Sequence, residues 1–146
     1  MQTTMHAKRN WPFYWVSRVN ARYVQLLEKR LRPIGVDVPS WRVLASLYED
    51  TYLSISEIAE FSTMRLNTTT KVVQRMLGDG LVTTRVRPTD ARVTEVCMTA
   101  KGDRLRELAM VEVLFVFNAS FQHVTDEEMA TLNGILEKVF DQLKRL

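Results

Sequence analysis

The chain has 146 residues, of which 46% are hydrophobic and 25% are charged, and this composition is typical of a soluble globular protein with one core or two small lobes. No apolar run approaches the roughly 20 residues that a membrane-spanning helix needs, so we expect no membrane partner. A single cysteine, Cys97, excludes an internal disulfide, and residues 1–10 lack an apolar signal-peptide segment, so we expect a cytoplasmic protein.

The first third of the chain predicts two helices. Residues 1–10 are polar and are expected to fray. Apolar side chains recur at three- and four-residue steps over residues 11–31, which indicates a long amphipathic helix. It is predicted to end at residues 32–35, which include a proline and a glycine. A second apolar stripe follows, and its helix is expected to end near Asp50.

The middle of the chain predicts two short helices joined by a turn. Ser54 followed by Glu57 is a capping-box pattern that opens the third helix. The fourth helix, over residues 66–77, begins with short hydroxyl and amide side chains that suit contact with bases and phosphates, although each of them alone fits helix capping equally well. The candidate DNA-binding residues of this segment are Arg65, Asn67, Thr68, Thr69, Thr70, Lys71 and Arg75.

A basic hairpin comes directly after the fourth helix. Strands are predicted at residues 81–86 and 93–98, with Pro88 and Asp90 as turn formers between them. A hairpin in this position is typical of a winged helix-turn-helix, in which the helix enters the major groove of DNA and the hairpin an adjacent minor groove. We therefore predict a mainly α fold with a small β wing, and we add Arg87, Asp90 and Arg92 to the candidate DNA-binding residues.

Positive charge is concentrated in the same segment. Residues 65–92 hold six Lys and Arg residues against two Asp residues, a net charge of +4, whereas the whole chain has +3 and the remainder therefore −1. Such a cluster is often only a solvated basic face. Here it lies on a predicted helix and hairpin, so we expect double-stranded DNA as the partner.

The last two predicted helices carry more apolar surface than the chain can cover. The fifth helix is apolar nearly all round in its last turns, and the sixth, which opens with a capping box at residues 125–128, has a continuous apolar stripe. We expect a second copy to cover these faces in a homodimer; the alternative is a monomer that folds them onto the winged lobe. The predicted regions are 1–35 and 100–146 for dimerisation and 36–99 for DNA binding.

Five sequence motifs lie between residues 41 and 102. They are Trp41-Arg-Val-Leu, Glu57-Ile-Ala-Glu60, Arg75-Met-Leu-Gly-Asp-Gly-Leu-Val82, Asp90-Ala-Arg92 and Met98-Thr-Ala-Lys-Gly102. These motifs resemble those of the MarR family of bacterial transcription regulators, and from Glu57 to Gly102 they follow in register without a gap. The resemblance extends over about residues 11–146 and is closest over 41–102.

The resemblance implies a repressor that binds a pseudo-palindromic operator. It places Arg92 in the minor groove with Asp90 fixing its orientation, and residues 67–71 in the major groove. Two positions depart from the family pattern. Arg65 stands where a serine often caps the recognition helix, so base preference does not transfer, and Ala91 replaces a frequent arginine.

An aromatic cluster at the start of the first helix suggests a small-molecule site. By the resemblance, an effector cleft lies between the dimerisation helices and the winged lobe. Aromatic walls with one cation would suit an aromatic carboxylate as effector. Packing of the same rings in the dimer core is the alternative. The candidate effector-binding residues are Tyr14, Trp15, Arg18 and Trp41.

An enzyme is an alternative of another class, with little support from the residues. The histidines, His6 and His123, have no Ser, Cys or Asp partners at triad-like or metal-ligand spacing, and no glycine-rich phosphate loop exists. We expect no catalytic site, metal or cofactor. Cys97 offers a redox-responsive alternative, with nearby Arg85 favouring its thiolate, but peroxide-sensing relatives carry their cysteine near the first helix, and a plain surface cysteine is the simpler interpretation.

Overall fold

The computed structural model describes residues 7–146 as six α-helices and one three-stranded sheet. This arrangement confirms the predicted fold class, a mainly α chain with a small β wing. Lys8–Asn10 and Arg32–Ile34 form short 3-10 turns. The elements are α1 (Pro12–Leu31), α2 (Val38–Glu49), β1 (Leu53–Ser54), α3 (Ile55–Phe61), α4 (Leu66–Gly78), β2 (Val82–Arg87), β3 (Asp90–Met98), α5 (Ala100–Ser120) and α6 (Asp126–Lys144).

The chain divides into two compact units, the first ending at Val113 and the second running over Leu114–Leu146. This division concerns one copy of the chain, and the predicted boundaries of the DNA-binding and dimerisation regions stay a prediction. Of residues 1–10, which were expected to fray, residues 1–6 lie outside the described residues, and Lys8–Asn10 form the 3-10 turn. Among the described helices, none is long and apolar enough to cross a membrane.

Side-chain caps lie at the starts of α2, α3 and α6, and the sequence pattern predicts the last two of them. Ser54 and Glu57 form a reciprocal capping box at α3, and Thr125 and Glu128 form another at α6. Asp37 caps α2 by accepting a hydrogen bond from the Ser40 backbone N–H at 2.8 Å. These caps satisfy backbone N–H groups that a helix start otherwise leaves unpaired.

The sheet has β3 in the centre, between β1 and β2, and all pairs are antiparallel. The sequence pattern did not predict β1, because a strand of two residues is too short to show an alternation of apolar and polar side chains. The wing strands lie at 82–87 and 90–98 rather than at 81–86 and 93–98, because Arg87 pairs directly with Asp90. Pro88 and Thr89 therefore make a two-residue turn.

The wing carries a bulge beside this turn. Val86 pairs with Thr94 and Arg87 with Asp90, which leaves Ala91, Arg92 and Val93 without opposite residues on β2. Two-residue hairpin turns that match the strand twist need positive φ angles, and neither turn residue has one. A bulge increases the local twist of the strands, so it compensates for the mismatch between this turn and the strand twist.

One buried cluster holds the winged lobe together. It joins α2, α3 and α4 to all three strands, so that the recognition elements share a core. Its fully buried side chains anchor α4 through Val73 and Met76 and the sheet through Val96. The cluster consists of Val43, Leu44, Leu47, Leu53, Ile58, Val72, Val73, Met76, Leu81, Val82 and Val96.

The start of α5 lies against the backbone that links α4 to β2. Thr99 donates a hydrogen bond to the Gly80 carbonyl at 2.7 Å and accepts one from the Gly102 backbone N–H at 3.1 Å. A Cβ atom on Gly102 would overlap the backbone carbonyl of Leu81. Only glycine therefore fits at this contact without a shift of the backbone.

We predict that Gly102→Ala destabilises the protein by about 2 kcal/mol, because backbone must move to admit the methyl group. Gly78→Ala is the matched control, since a Cβ there meets nothing within 4 Å and a helix favours alanine. Urea unfolding of both variants measures the difference. Equal stability of the Gly102→Ala variant and the wild type would contradict this close contact.

Candidate nucleic-acid interface

The inner face of α4 packs into the core, and Thr69 belongs to it. Thr69 is 0% exposed, and its hydroxyl donates to the Arg65 carbonyl at 2.8 Å. The prediction that Thr69 faces DNA is therefore wrong in this structure, because the residue lies on the same helix face as Val72 and Val73. Its hydroxyl is used within the protein, in the hydrogen bond to the backbone of Arg65 at the start of α4.

The outer face of α4 presents polar side chains on an exposed surface. Asn67, Thr70, Lys71 and Gln74 line one shallow hollow there together with Leu66. Gln74 was missed by sequence analysis, although it follows Asn67 and Thr70 at helical spacing and could have been found from that spacing. Asn67 Oδ1 accepts a hydrogen bond from the Thr68 backbone N–H, and the Thr70 hydroxyl donates to the Leu66 carbonyl.

Arg65, the N-cap residue of α4, and Arg75, within the helix, differ in their contacts with the rest of the chain. Arg65 precedes the first turn of α4 and is exposed. Arg75, by contrast, donates to Asp37 Oδ2 at 2.7 Å and to the Ser40 hydroxyl at 2.9 Å. Because these partners belong to the start of α2, Arg75 ties the two helices together while half of its side chain stays exposed.

The tip of the wing holds an exposed arginine in a fixed orientation. Arg92 Nε donates to Asp90 Oδ1 at 3.0 Å and a terminal nitrogen of Arg92 donates to Oδ2 at 3.1 Å, while the side chain remains 89% exposed. The Arg92 backbone N–H also donates to Asp90. The predicted pairing of Asp90 with Arg92 is present, and Arg92 lies in the bulge, without a residue opposite it on β2.

Arg87 is much less exposed than Arg92. Its guanidinium donates to Glu95 at 2.9 Å and to Glu57, and only 28% of its side chain is exposed. Arg85 donates to the other oxygen of Glu95 at 3.1 Å, and its guanidinium stacks on the ring of Tyr52. The two glutamates lie just outside the basic segment 65–92, so the count of +4 overstates the charge that is free to meet DNA.

Hydrogen bonds favour the ionised forms of Asp90, Arg87 and Glu57. Bonds from the Arg92 side chain and then its backbone hold the pKa of Asp90 below its ordinary value. The pKa of Arg87 is raised, first by Glu95 and then by Glu57. The pKa of Glu57 is lowered mainly by its capping bonds with Ser54 and to a smaller extent by Arg87. At neutral pH Asp90, Arg87 and Glu57 are therefore charged.

The predicted effector residues do not line one described cleft. Tyr14 and Arg18 border a shallow hollow at the start of α1, where Arg18 lies 5.4 Å from the Tyr14 ring centroid. Trp15 packs against Tyr14 and donates from Nε1 to the Arg9 carbonyl at 2.9 Å, but it borders neither described cleft. Trp41 lines a separate cleft, and the four-residue effector site stays a prediction.

The cleft at Trp41 is the larger of the two, with a volume of about 830 Å³. It lies beside α2 and the end of α3, and Ser46 and Ser62 contact each other at 3.1 Å on its wall. Its aromatic rings are Trp41 and Phe61, and Arg42 supplies a cation. The lining residues are Asn20, Trp41, Arg42, Ala45, Ser46, Glu49, Asp50, Phe61, Ser62 and Thr63.

The alternatives from sequence analysis gain no new support. Within residues 7–146, no group of three or more His, Cys, Asp and Glu side chains is arranged to hold a metal ion. Cys97 is half-buried and pairs across the wing with Thr83. Arg85, which was expected to lie near Cys97, is engaged with Glu95 and Tyr52 instead.

Comparison with known proteins agrees with this geometry. The MarR family model matches residues 36–94. The HTH-type transcriptional repressor IacR of Pseudomonas putida is 43% identical over 139 residues, which cover 95% of this chain and 83% of IacR.

Two solved structures share the fold. CouR of Rhodococcus jostii, bound to p-coumaroyl-CoA, gives a TM-score of 0.83 at 23% identity and covers 92% of this chain and 94% of its own. A MarR variant of E. coli, complexed with operator DNA, gives 0.73 at 25% identity and covers 85% and 89%.

Fold and matches together define a winged helix-turn-helix transcriptional regulator. The chain belongs to the MarR family.

Proposed function

We propose that the chain acts in the cytoplasm as a homodimeric repressor, with α4 of each copy in the major groove of a pseudo-palindromic operator and each wing in the adjacent minor groove. One observation carries the proposal. Arg92 is exposed at a bulged hairpin tip and is already oriented by Asp90. An arginine held in this way loses little freedom when it enters a narrow, electronegative minor groove.

The outer face of α4 supplies the base-reading part of the proposal. Amide side chains pair well with adenine in the major groove, and Asn67 and Gln74 project from the exposed face. Arg65 and Lys71 are exposed beside them and suit phosphate contacts. Arg75 and Arg87 have lesser roles in this proposal than sequence analysis expected, because carboxylates of the same chain hold them.

The proposal of a homodimer rests on apolar surface that one copy leaves uncovered. α6 contains no buried residue, although Leu132, Leu136 and Phe140 lie along it. α1 buries only Leu27 and Leu31. Apolar faces of this extent mark protein–protein contacts, and a second copy covering them would bring two winged lobes to one operator. Regulation by occupancy of DNA needs no catalytic step.

A second proposal concerns an effector, and the cleft at Trp41 favours it. Trp41 and Phe61 offer ring surfaces that suit a small aromatic ligand, and Arg42 is the cation of a lining that also holds the carboxylates of Glu49 and Asp50, so Arg42 is where a ligand carboxylate would bind. The ligand of CouR carries an aromatic acyl group joined to CoA as a thioester, so it supports the aromatic part of this proposal. The cleft adjoins Thr63, in the turn that leads into α4, so a ligand that prefers one position of this turn would change operator affinity.

Operator binding is predicted to separate the roles of the interface residues. Arg92→Ala should weaken binding to all sequences, since the wing reads shape and charge. Asn67→Ala should instead lower discrimination against a mismatched operator by about 1–3 kcal/mol. Lys71→Ala should reduce the slope of log affinity against log salt by about one. A fluorescence-anisotropy titration with the chain's own upstream DNA measures all three.

Arg145→Ala is the control for these variants, because it removes one exposed positive charge outside the proposed interface. Its effect should be small at physiological salt, where distant charges are screened. No binding by a folded wild-type protein at low salt would refute the proposed function. Binding that survives all three substitutions unchanged would move the interface elsewhere.

Effector binding is predicted to depend on Arg42 and not on Arg18. In a variant with Trp11→Phe and Trp15→Phe, the fluorescence of Trp41 should respond to a benzoate or salicylate-like acid. The same ligand should weaken operator binding by roughly 5- to 150-fold. Arg42→Gln should abolish both effects, while Arg18→Gln, which changes the other hollow, should leave both. If Arg18→Gln abolished both effects and Arg42→Gln did not, the site would lie at the hollow beside Arg18. If no benzoate or salicylate-like acid gave either effect with the wild-type protein, the effector proposal would be refuted.

A further inference from the structure

The base of the wing contains a closed set of ion pairs that face the protein. Glu95 is a charged residue on the central strand, yet only 7% of its side chain is exposed. Its two oxygens accept from Arg85 at 3.1 Å and from Arg87 at 2.9 Å, both on the neighbouring strand β2. With Glu57 included, the cluster holds two arginines and two glutamates, so its formal charges cancel and it adds no net charge to attract DNA.

The same cluster connects the wing to the helix-turn-helix. Arg87 donates to Glu57, and the same Glu57 oxygen accepts from the Ser54 backbone N–H at the start of α3. A continuous path of hydrogen bonds therefore runs from β3 through β2 to the first helix of the motif. Arg87 is the last residue before the turn, and the bulge with Arg92 begins across from it.

We propose that Glu95 and Glu57, acting through Arg87, are positioning residues that hold the wing in one place relative to α3 and α4. This inference rests on the proposed function. Isolated two-stranded hairpins are only marginally stable in water, so a hairpin needs ties to keep its tip in place. With the ties in place, Arg92 would meet the minor groove at the same time as α4 meets the major groove. None of the positioning residues needs to touch DNA.

The second glutamate gives a mild way to weaken the path. Glutamine also serves in a capping box, so Glu57→Gln keeps an acceptor oxygen for the Ser54 N–H and for Arg87, but it removes the charge that strengthens the bond from Arg87. Glu128→Gln is the matched control, because Glu128 holds the same position in the capping box of α6. Glu95→Gln cuts the path at the buried end, and Glu57→Gln remains decisive if Glu95→Gln fails to fold.

The test is a double-substitution cycle with Arg92→Ala on the operator, together with hydrogen exchange of the free protein. Glu57→Gln and Glu95→Gln should each weaken operator binding by about tenfold, on the order of the coupling within one ion-pair network. Combined with Arg92→Ala, they should cost little more than Arg92→Ala alone, because they act through the wing tip. Amides of residues 82–98 should exchange faster, while those of α2 and the control variant should not change.

Three results would overturn the inference. The first is that the fold-losses in operator affinity from Glu57→Gln and Arg92→Ala multiply in the double variant, as they do for residues that act independently. The second is unchanged exchange in the wing of the free Glu57→Gln protein. The third is an equal loss of operator binding with Glu128→Gln. If the wild type binds no operator, the proposed function fails, and the exchange measurement on the free protein still decides whether the ion pairs hold the wing.

Discussion

Carboxylates of the winged lobe determine which of its arginines are free to meet another molecule. Glu57 and Glu95 engage Arg85 and Arg87 and direct their charge into the protein. Arg92 is paired too, but at an exposed tip, where the partner orients the guanidinium without covering it. Arginine–carboxylate pairing thus has two effects that depend on burial. At the base of the wing it holds the arginines against the protein, and at the tip it leaves the Arg92 guanidinium exposed.

The shared core extends this rigidity to the recognition helix. α4 buries one face against α2, α3 and the sheet, and Thr69 is drawn into that face. The other face stays polar and open. Because the wing and α4 share one core, the proposed major-groove and minor-groove contacts of one lobe would have a set spacing. In the proposed homodimer, the spacing between the two lobes would depend on the apolar faces of α1, α5 and α6.

Sequence patterns predicted what depends on periodicity and local capping. They indicated every α-helix, both capping boxes and the hairpin, because these features follow from neighbours along the chain. The pairing of Asp90 with Arg92 came instead from the resemblance to the MarR family. They failed where partners lie far apart in sequence. The burial of Glu95 and its hold on Arg87 depend on strand pairing that the residues alone do not reveal. The aromatic residues of α1 and α2 were grouped by type, whereas the structure separates them between two clefts.

Methylation interference on the operator tests the central claim most directly, because methyl groups at guanine N7 and adenine N3 report the major and the minor groove separately. Binding of the proposed homodimer should give interference in both grooves, repeated in two half-sites roughly 10 bp apart. With Arg92→Ala, the minor-groove interference should vanish and the major-groove interference should remain. Interference at one half-site alone, or minor-groove interference that persists without Arg92, would refute this mode of binding.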